Sequence, residues 1–194
     1  MKQIKEIVLA TGNPHKVEEI NAIAAGLGIR FIMPPEGFNP VEDGVTFEEN
    51  SLVKAKEANR LTGSMSLADD SGLCVDALDG APGIYSARYA DTPQKRIEKL
   101  LGALSGVEAQ NRGAKFVCAM TLLDADGNIL FSDRGECFGS IGFEAKGNNG
   151  FGYDPVFVVK GGNLTMAELN EEEKNKISHR AIALNKLLKF LSSL

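Results

Sequence analysis

Two adjacent aspartates, Asp69 and Asp70, have the residue type and spacing of a catalytic or metal-binding pair. They end a short apolar run and are followed directly by Ser71 and Gly72. Neighbouring side chains on a strand point to opposite faces, so one carboxylate can face a pocket while the other anchors backbone. A carboxylate at a strand end beside a glycine-containing loop suits Mg²⁺, which prefers oxygen ligands and takes few from the protein. A turn capped by an aspartate side chain explains the same residues equally well.

A second candidate is the loop that follows the first apolar run. Residues 7–10 predict a buried strand, and apolar residues from Val17 onward recur at helical spacing. Asn13 is a good N-cap, and Pro14 occupies the favoured first helical position. The free N–H groups of a helix start bind anions, so a phosphate there would explain the positive charge of Lys16. A well-capped structural helix with a solvated lysine is the alternative.

An acidic loop provides a further carboxylate. Thr46 and Glu49 form a capping-box pattern, which predicts a helix that begins there and ends near Gly63. Because Glu49 serves the helix start, Glu42 on the preceding loop is freer to act as a ligand. We therefore pair Glu42 with Asp70 as the predicted metal site.

Glycines alternate with aromatic residues in the segment GNNGFGYDP at residues 147–155. The glycines allow close backbone approach, and either ring can stack on a base. A glycine-rich turn with its aromatic residues packed inward is the alternative. Lys174, His179 and Arg180 then place three donors around a helix start, where cations are unfavourable unless an anionic or acceptor-rich ligand is bound. A single histidine at such a position is usually a surface residue.

Composition and element order limit the class of protein. The 194 residues, 43% of them hydrophobic, predict one domain over residues 1–194, and the net charge of −5 disfavours binding to nucleic acid. Cys74, Cys118 and Cys137 are widely spaced, which predicts reduced thiols in a cytoplasmic protein. We expect no membrane span, because no apolar run is long enough. The order β-α-β-α-β, then α, a β-hairpin and α predicts an α/β fold with a mixed sheet flanked by helices.

These groups together describe a nucleotide site with a divalent metal. A Mg²⁺ ion that bridges phosphate oxygens positions the substrate and stabilises charge on the leaving group. A neighbouring carboxylate can orient or deprotonate water. The sequence has no Ser-His-Asp or Cys-His arrangement that would suggest a covalent nucleophile. Metal-assisted hydrolysis of a phosphoanhydride is the resulting hypothesis.

Six separated segments resemble the inosine triphosphate pyrophosphatase family, in order and over nearly the whole chain. They are TGNPHK at 11–16, FEENSLVKA at 47–55, ADDSGL at 68–73, PGIYSARY at 82–89, NGFGYDPVF at 149–157 and EKNKISHR at 173–180. The resemblance implies a two-lobed α/β fold with a long mixed sheet, an active-site cleft between the lobes, and a homodimer. It also implies Mg²⁺-dependent hydrolysis of non-standard purine nucleoside triphosphates (ITP, dITP, XTP) to the monophosphate and pyrophosphate, which cleanses the nucleotide pool.

The same resemblance implies roles for individual residues. Asp70 would be a metal ligand and the proton acceptor, Glu42 the second metal ligand, and Ser71 a substrate contact; Asp43 could substitute for Glu42. The triphosphate would be held by the loop of Thr11, Gly12, Asn13, Pro14, His15 and Lys16. The family varies at the fifth of these positions, so the histidine side chain itself receives no role. The base and sugar would be surrounded by Phe151, Gly152, Tyr153, Asp154, Lys174, His179 and Arg180.

The expected specificity has a physical basis. Hypoxanthine and xanthine carry an acceptor oxygen at C6, where adenine carries an amino donor. Donors of His179 or Arg180 aimed at this position would reject adenine, because a buried unmatched polar group costs about 1–3 kcal/mol. Two other functions fit the same residues: a pyrophosphatase for modified pyrimidine nucleotides, and a non-hydrolytic nucleotide sensor. A sensor could do without Asp70 and Lys16.

Overall fold

The fold is a mixed α/β fold, described here from a computed structural model for residues 5–193 except the side chains of Lys5 and His15. The strands are β1 (Lys5–Leu9), β2 (Ile29–Ile32), β3 (Ser66–Val75), β4 (Gly113–Leu123), β5 (Ile129–Ile141) and β6 (Phe157–Val159). The α-helices are α1 (Pro14–Ile23), α2 (Phe47–Thr62), α3 (Pro93–Ala103), α4 (Glu171–Ile177) and α5 (His179–Leu191). Within these residues, every helix falls short of the length and apolar content that a membrane span requires.

The six strands form one sheet in the order β2-β1-β3-β4-β5-β6. Strand β1 is parallel to both neighbours: Ile7 lies opposite Phe31 of β2, and Leu9 lies opposite Leu67 of β3. Strands β5 and β6 are antiparallel, with Ile141 opposite Phe157. The predicted mixed sheet flanked by helices is therefore confirmed.

The chain divides into two compact units. The first comprises the residues up to Asp70, Cys118–Gly135 and the residues from Ala183 onward; the second comprises Ser71–Val117 and Glu136–Ile182. The unit boundary in β3 therefore falls directly after the aspartate doublet. That residues 1–194 form one domain stays a prediction, because these units are defined by contacts and not by independent folding.

In the first unit, both faces of β1 are buried. Alternate side chains of β1 pack into one apolar cluster, whose buried members include Ile7, Leu9, Ile20, Phe31, Leu67, Met120, Leu184 and Leu187. A second cluster takes the other side chains and comprises Val8, Ala10, Ala55, Ala58, Ala68 and Leu123. A strand buried on both faces reads as a continuous apolar run, which is why residues 7–10 predict it correctly.

The second unit has its own core around β3, β4 and α3. Its buried members include Leu73, Val75, Leu100, Leu104, Phe116, Tyr153, Val156, Phe157 and Met166. The long strand β4 contributes Phe116 to this core and Met120 to the core of the first unit. Because both cores are apolar, buried charged residues such as Asp70, Asp154 and Arg180 are unusual and mark candidate functional positions.

Strand β3 differs from the prediction at the aspartate doublet. Asp69 and Asp70 lie inside β3, which continues to Val75, and not at a strand end. Leu73 and Val75 are fully buried, and Leu73 N–H donates to the Ser86 hydroxyl at 2.9 Å. Burial of these apolar residues outweighs the local turn tendency of serine and glycine, so the strand does not stop.

The capping box predicted at Thr46 and Glu49 is incomplete. Thr46 caps α2 by accepting the Glu49 N–H, but the Glu49 carboxylate accepts from Val45 N–H, at 2.7 Å. The residues Thr165 and Glu168 have the same spacing but start no α-helix, because the threonine hydroxyl donates to the carbonyl of Lys146 at 2.8 Å. The pattern at Asn170 and Glu173 is complete: the two residues exchange both bonds and start α4.

Candidate functional site

The turn between β1 and α1 is the first part of the candidate site. Helix α1 begins at Pro14, as predicted, and Asn13 precedes it. The Thr11 hydroxyl accepts the N–H of Asn13 at 3.1 Å, which fixes the turn. Thr11 is buried while Gly12 and Pro14 are exposed, so the backbone of the turn is accessible. The side chain of His15 lies outside the described part of the structure.

Lys16, in the first turn of α1, pairs with the first aspartate of the doublet. Its Nζ donates to both carboxylate oxygens of Asp69, at 3.0 and 2.9 Å. The Asp69 side chain is fully buried, while the Lys16 side chain keeps 18% of its surface exposed. The carboxylate offsets the unfavourable position of a cation at a helix start. Lys16 therefore has a fixed position and retains access to solvent.

Lys54 of α2 pairs with the second aspartate. Its Nζ lies 2.7 Å from an oxygen of Asp70 and 3.5 Å from an oxygen of Glu42, and Lys54 itself is buried. Two carboxylates from distant segments thus converge on one ammonium group. Burial raises the pKa of Asp70, an effect that Lys54 opposes and that Glu42 and Asp69 reinforce. Burial acts to lower the pKa of Lys54, but the surrounding carboxylates outweigh it and the pKa is raised.

Glu42 and Asp70 are suited to a divalent ion. Both provide hard oxygen donors, which already converge on the Lys54 ammonium. Because Lys54 contacts Glu42, the structure favours Glu42 over Asp43 as the second ligand. Among residues 5–193, no group of three or more His, Cys, Asp or Glu side chains is arranged to hold a metal. An ion held by this pair would take its other ligands from water or substrate, as Mg²⁺ commonly does.

The glycine-aromatic segment forms a second cluster, in the second unit. Asp154 is buried, and its Oδ2 accepts from the N–H of Phe151 at 2.9 Å and from Lys174 Nζ at 2.7 Å. Gly150 has a φ of +72°, and a Cβ atom there would clash with the Asp154 carboxylate and lie 2.9 Å from Lys174 Nζ. Only glycine therefore fits at this position.

Phe151 presents an aromatic ring over two cations. The ring is half exposed; Lys174 Nζ lies 4.8 Å from its centroid and the Arg180 guanidinium carbon 5.7 Å from it. These distances are within the range of cation–π attraction. The ring is thus supported by charge, and its exposed surface is available for stacking.

The start of α5 contributes His179 and Arg180. Arg180 is almost fully buried, and its Nη2 donates to the Ser71 hydroxyl at 3.3 Å. The His179 ring stacks on Phe116, with centroids 4.8 Å apart and planes inclined by 15°. Lys174 belongs to the last turn of α4, where a cation is favourable, so only two of the three predicted donors are at a helix start.

Tyr153 is placed differently from Phe151. It is 5% exposed within the apolar core, and its hydroxyl donates to the carbonyl of Ser86 at 2.9 Å. Burial raises its pKa to about 12. Inward packing therefore applies to Tyr153, whereas Phe151 and the half-buried Gly152 reach the surface.

Sequence reasoning missed Lys54 and gave Asp69 no partner. A signal for Lys54 exists: it shares the buried face of α2 with Ala55 and Ala58. A lysine on an apolar helix face is rarely buried without a charged partner. Asp69 carried no comparable signal, because its partner Lys16 is 53 residues away.

The class of protein that these findings define is a mixed α/β protein with two charged clusters, one holding carboxylates and lysines and one supporting an exposed ring. The chain belongs to the Ham1 family, whose model matches residues 7–190. The family resemblance seen in the six segments is confirmed.

Curated relatives and solved structures are similar over nearly the whole chain. The dITP/XTP pyrophosphatase of Synechocystis sp. is 44% identical over 182 residues, 94% of this chain and 93% of the relative. The dITP/XTP pyrophosphatase of Xanthomonas oryzae pv. oryzae is 48% identical over 188 residues, covering 93% and 94%. The structure of a HAM1 protein from Coxiella burnetii has a TM-score of 0.89 at 41% identity and covers 98% of this chain and 100% of that chain.

Proposed function

We propose that this chain is an enzyme, a dITP/XTP pyrophosphatase that hydrolyses non-standard purine nucleoside triphosphates to the monophosphate and pyrophosphate. The observation that carries the proposal is the aspartate doublet, whose two carboxylates are each bonded to a lysine of a different helix. Relatives more than 40% identical carry the name of this activity.

The triphosphate is assigned to the turn between β1 and α1. The accessible backbone of this turn and the exposed part of Lys16 provide N–H and ammonium donors to phosphate oxygens. The Asp69 carboxylate keeps the ammonium in place before the substrate arrives. Fixing a donor in advance reduces the entropy lost on binding.

Asp70 is assigned the role of proton acceptor for the attacking water. Its burial raises its pKa, which makes the carboxylate a stronger base than an exposed aspartate, and Lys54 holds it in one orientation. Glu42 and Asp70 would hold the Mg²⁺ ion, which when bound neutralises phosphate charge and orients the substrate. The metal requirement is part of this proposal.

The base is assigned to the cluster around Phe151. Its exposed ring can stack on a purine, and the donors of Lys174, His179 and Arg180 suit the C6 oxygen of hypoxanthine or xanthine. Adenine would place an amino donor against those donors. We therefore expect ATP to be a poor substrate.

A homodimer and a cytoplasmic location complete the proposal, the first from the family resemblance and the second from the reduced thiols. Sedimentation equilibrium of the purified protein measures the oligomeric state. A mass near 20.8 kDa would indicate a monomer and contradict the dimer.

The test of the proposed function is pyrophosphate release from ITP, XTP, dITP, GTP, ATP and a pyrimidine triphosphate panel, with Mg²⁺ and with EDTA. We expect turnover of ITP, XTP and dITP that EDTA abolishes. Asp70→Asn should abolish turnover while nucleotide binding stays measurable by calorimetry, whereas the exposed Asp91→Asn should match the wild type. Robust turnover of pyrimidine nucleotides without turnover of ITP or XTP would contradict the purine assignment, and nucleotide binding without any turnover would favour a sensor.

A further inference from the structure

The segment PGIYSARY at residues 82–89 has no role in the function proposed above. Its central part, Gly83–Arg88, is a 3-10 helix of the second unit in which Ser86 is buried. The Ser86 hydroxyl accepts the N–H of Leu73 at 2.9 Å and donates to the carbonyl of Gly83 at 2.6 Å. The Ser86 hydroxyl is thus hydrogen-bonded both to β3 and to the 3-10 helix that contains it.

The Ser86 carbonyl is the acceptor for the buried hydroxyl of Tyr153, at 2.9 Å. Burial raises the pKa of Tyr153 to about 12, so this hydroxyl remains a donor well above neutral pH. The hydroxyl therefore connects the 3-10 helix to the glycine-aromatic segment, 67 residues further along the chain.

Tyr153 lies in a turn that is closed by several bonds. The N–H of Asp154 donates to the carbonyl of Phe151 at 3.2 Å, and the N–H of Phe151 donates to the Asp154 carboxylate at 2.9 Å. The same carboxylate accepts from Lys174. A displacement of Tyr153 would therefore move the Phe151 ring and the Lys174 ammonium together.

We propose that Ser86 and Tyr153 are positioning residues for recognition of the base: their hydrogen bond sets the position of Phe151 and Lys174, and Tyr153 acts without contacting the substrate. This inference rests on the proposed function, because it assigns the base to the Phe151 cluster. It gives the segment at residues 82–89 a role as the support of that cluster.

The test compares Tyr153→Phe with Tyr85→Phe as a matched control. Tyr153→Phe removes one hydroxyl and keeps the ring, whereas Tyr85 is 60% exposed in the same segment as Ser86. For Tyr153→Phe we expect the KM for ITP to rise about tenfold, kcat to stay within about threefold, and the ratio of kcat/KM for ITP over ATP to fall. Amide hydrogen exchange at residues 150–154 should accelerate about tenfold. Tyr85→Phe should change none of these.

A second variant, Ser86→Ala, removes the hydroxyl that fixes the acceptor, and we expect it to accelerate exchange at residues 150–154 as well. A lower melting temperature with wild-type KM, ITP/ATP ratio and exchange at these residues would overturn the inference, as would equal effects in Tyr85→Phe. If the wild type does not hydrolyse ITP, the proposed function fails. The exchange rates alone then decide whether Ser86 and Tyr153 position the turn.

Discussion

Lys16 and Asp69 form a two-bond ion pair in which the carboxylate is fully buried and the ammonium is partly exposed. The pair joins the first turn of α1 to β3. Because only one partner reaches solvent, the two residues contribute differently. Lys16 can meet a ligand, while the buried Asp69 carboxylate holds the Lys16 ammonium in place.

The first prediction concerns the stability of this pair. Lys16→Ala leaves the buried Asp69 carboxylate without its ammonium, so we expect a loss of about 2–3 kcal/mol in the free energy of unfolding. Adding Asp69→Asn to this variant removes the buried charge and should restore at least half of the loss. Urea unfolding at pH 7 measures both values. A double variant as unstable as Lys16→Ala alone would contradict the account.

A second prediction concerns Lys54. Replacing it by alanine removes the ammonium that orients Asp70 and contacts Glu42, so we expect kcat for ITP to fall about 100-fold. Lys56→Ala changes an exposed lysine of the same helix and serves as the matched control. Initial rates at saturating ITP and Mg²⁺ give the comparison. Similar rates for the two variants would exclude a role for Lys54 in turnover.

A third prediction concerns Arg112, which is buried and has backbone carbonyls as acceptors. These are the carbonyls of Leu104, Val107, Ile141 and Gly142, at 2.8 to 3.4 Å. Lysine has a single donor group and cannot reach all of them, so Arg112→Lys should lower the free energy of unfolding by about 2–4 kcal/mol. Arg30→Lys, at an exposed pair with Glu6, should change it by less than about 0.5 kcal/mol. Equal losses in urea unfolding would show that the carbonyl contacts are not the cause.

A fourth prediction concerns the thiols. Cys118 and Cys137 are buried, and burial raises the pKa of Cys137 to about 11, so its reactive thiolate is scarce at pH 8. Cys74 is half-buried. We expect one thiol of the native protein to react quickly with an aromatic disulfide reagent at pH 8, and Cys74→Ser to remove this phase. A fast phase that survives in Cys74→Ser would contradict the assignment.

The local signals of the sequence predicted the local structure well. Pro14 starts α1 and Thr46 caps α2, because each signal acts within a few residues. The predicted β-hairpin is formed by β4 and β5, and its turn at Gly127 has an equally local cause. Caps and turns carry their cause within the segment itself.

The contacts of the candidate site were harder to predict, since they depend on tertiary structure. Nothing near Asp69 indicates Lys16 as its partner, and nothing near Asp70 indicates Lys54; the sheet and α2 bring them together. The extension of β3 beyond the doublet has a similar origin, because the core of the second unit decides it. The residue types indicated which groups could bind a metal and a nucleotide. Which lysine pairs with which aspartate could be seen only in the folded structure.

Gly150 has a consequence for how this family can vary. The space that a side chain would need there is filled by Asp154 and Lys174, and the backbone is left-handed. Random mutagenesis followed by selection for activity should therefore return glycine alone at this codon, even where neighbouring exposed positions such as Asn148 accept many replacements. The Asp154–Lys174 ion pair thus restricts Gly150 more than its left-handed backbone alone would.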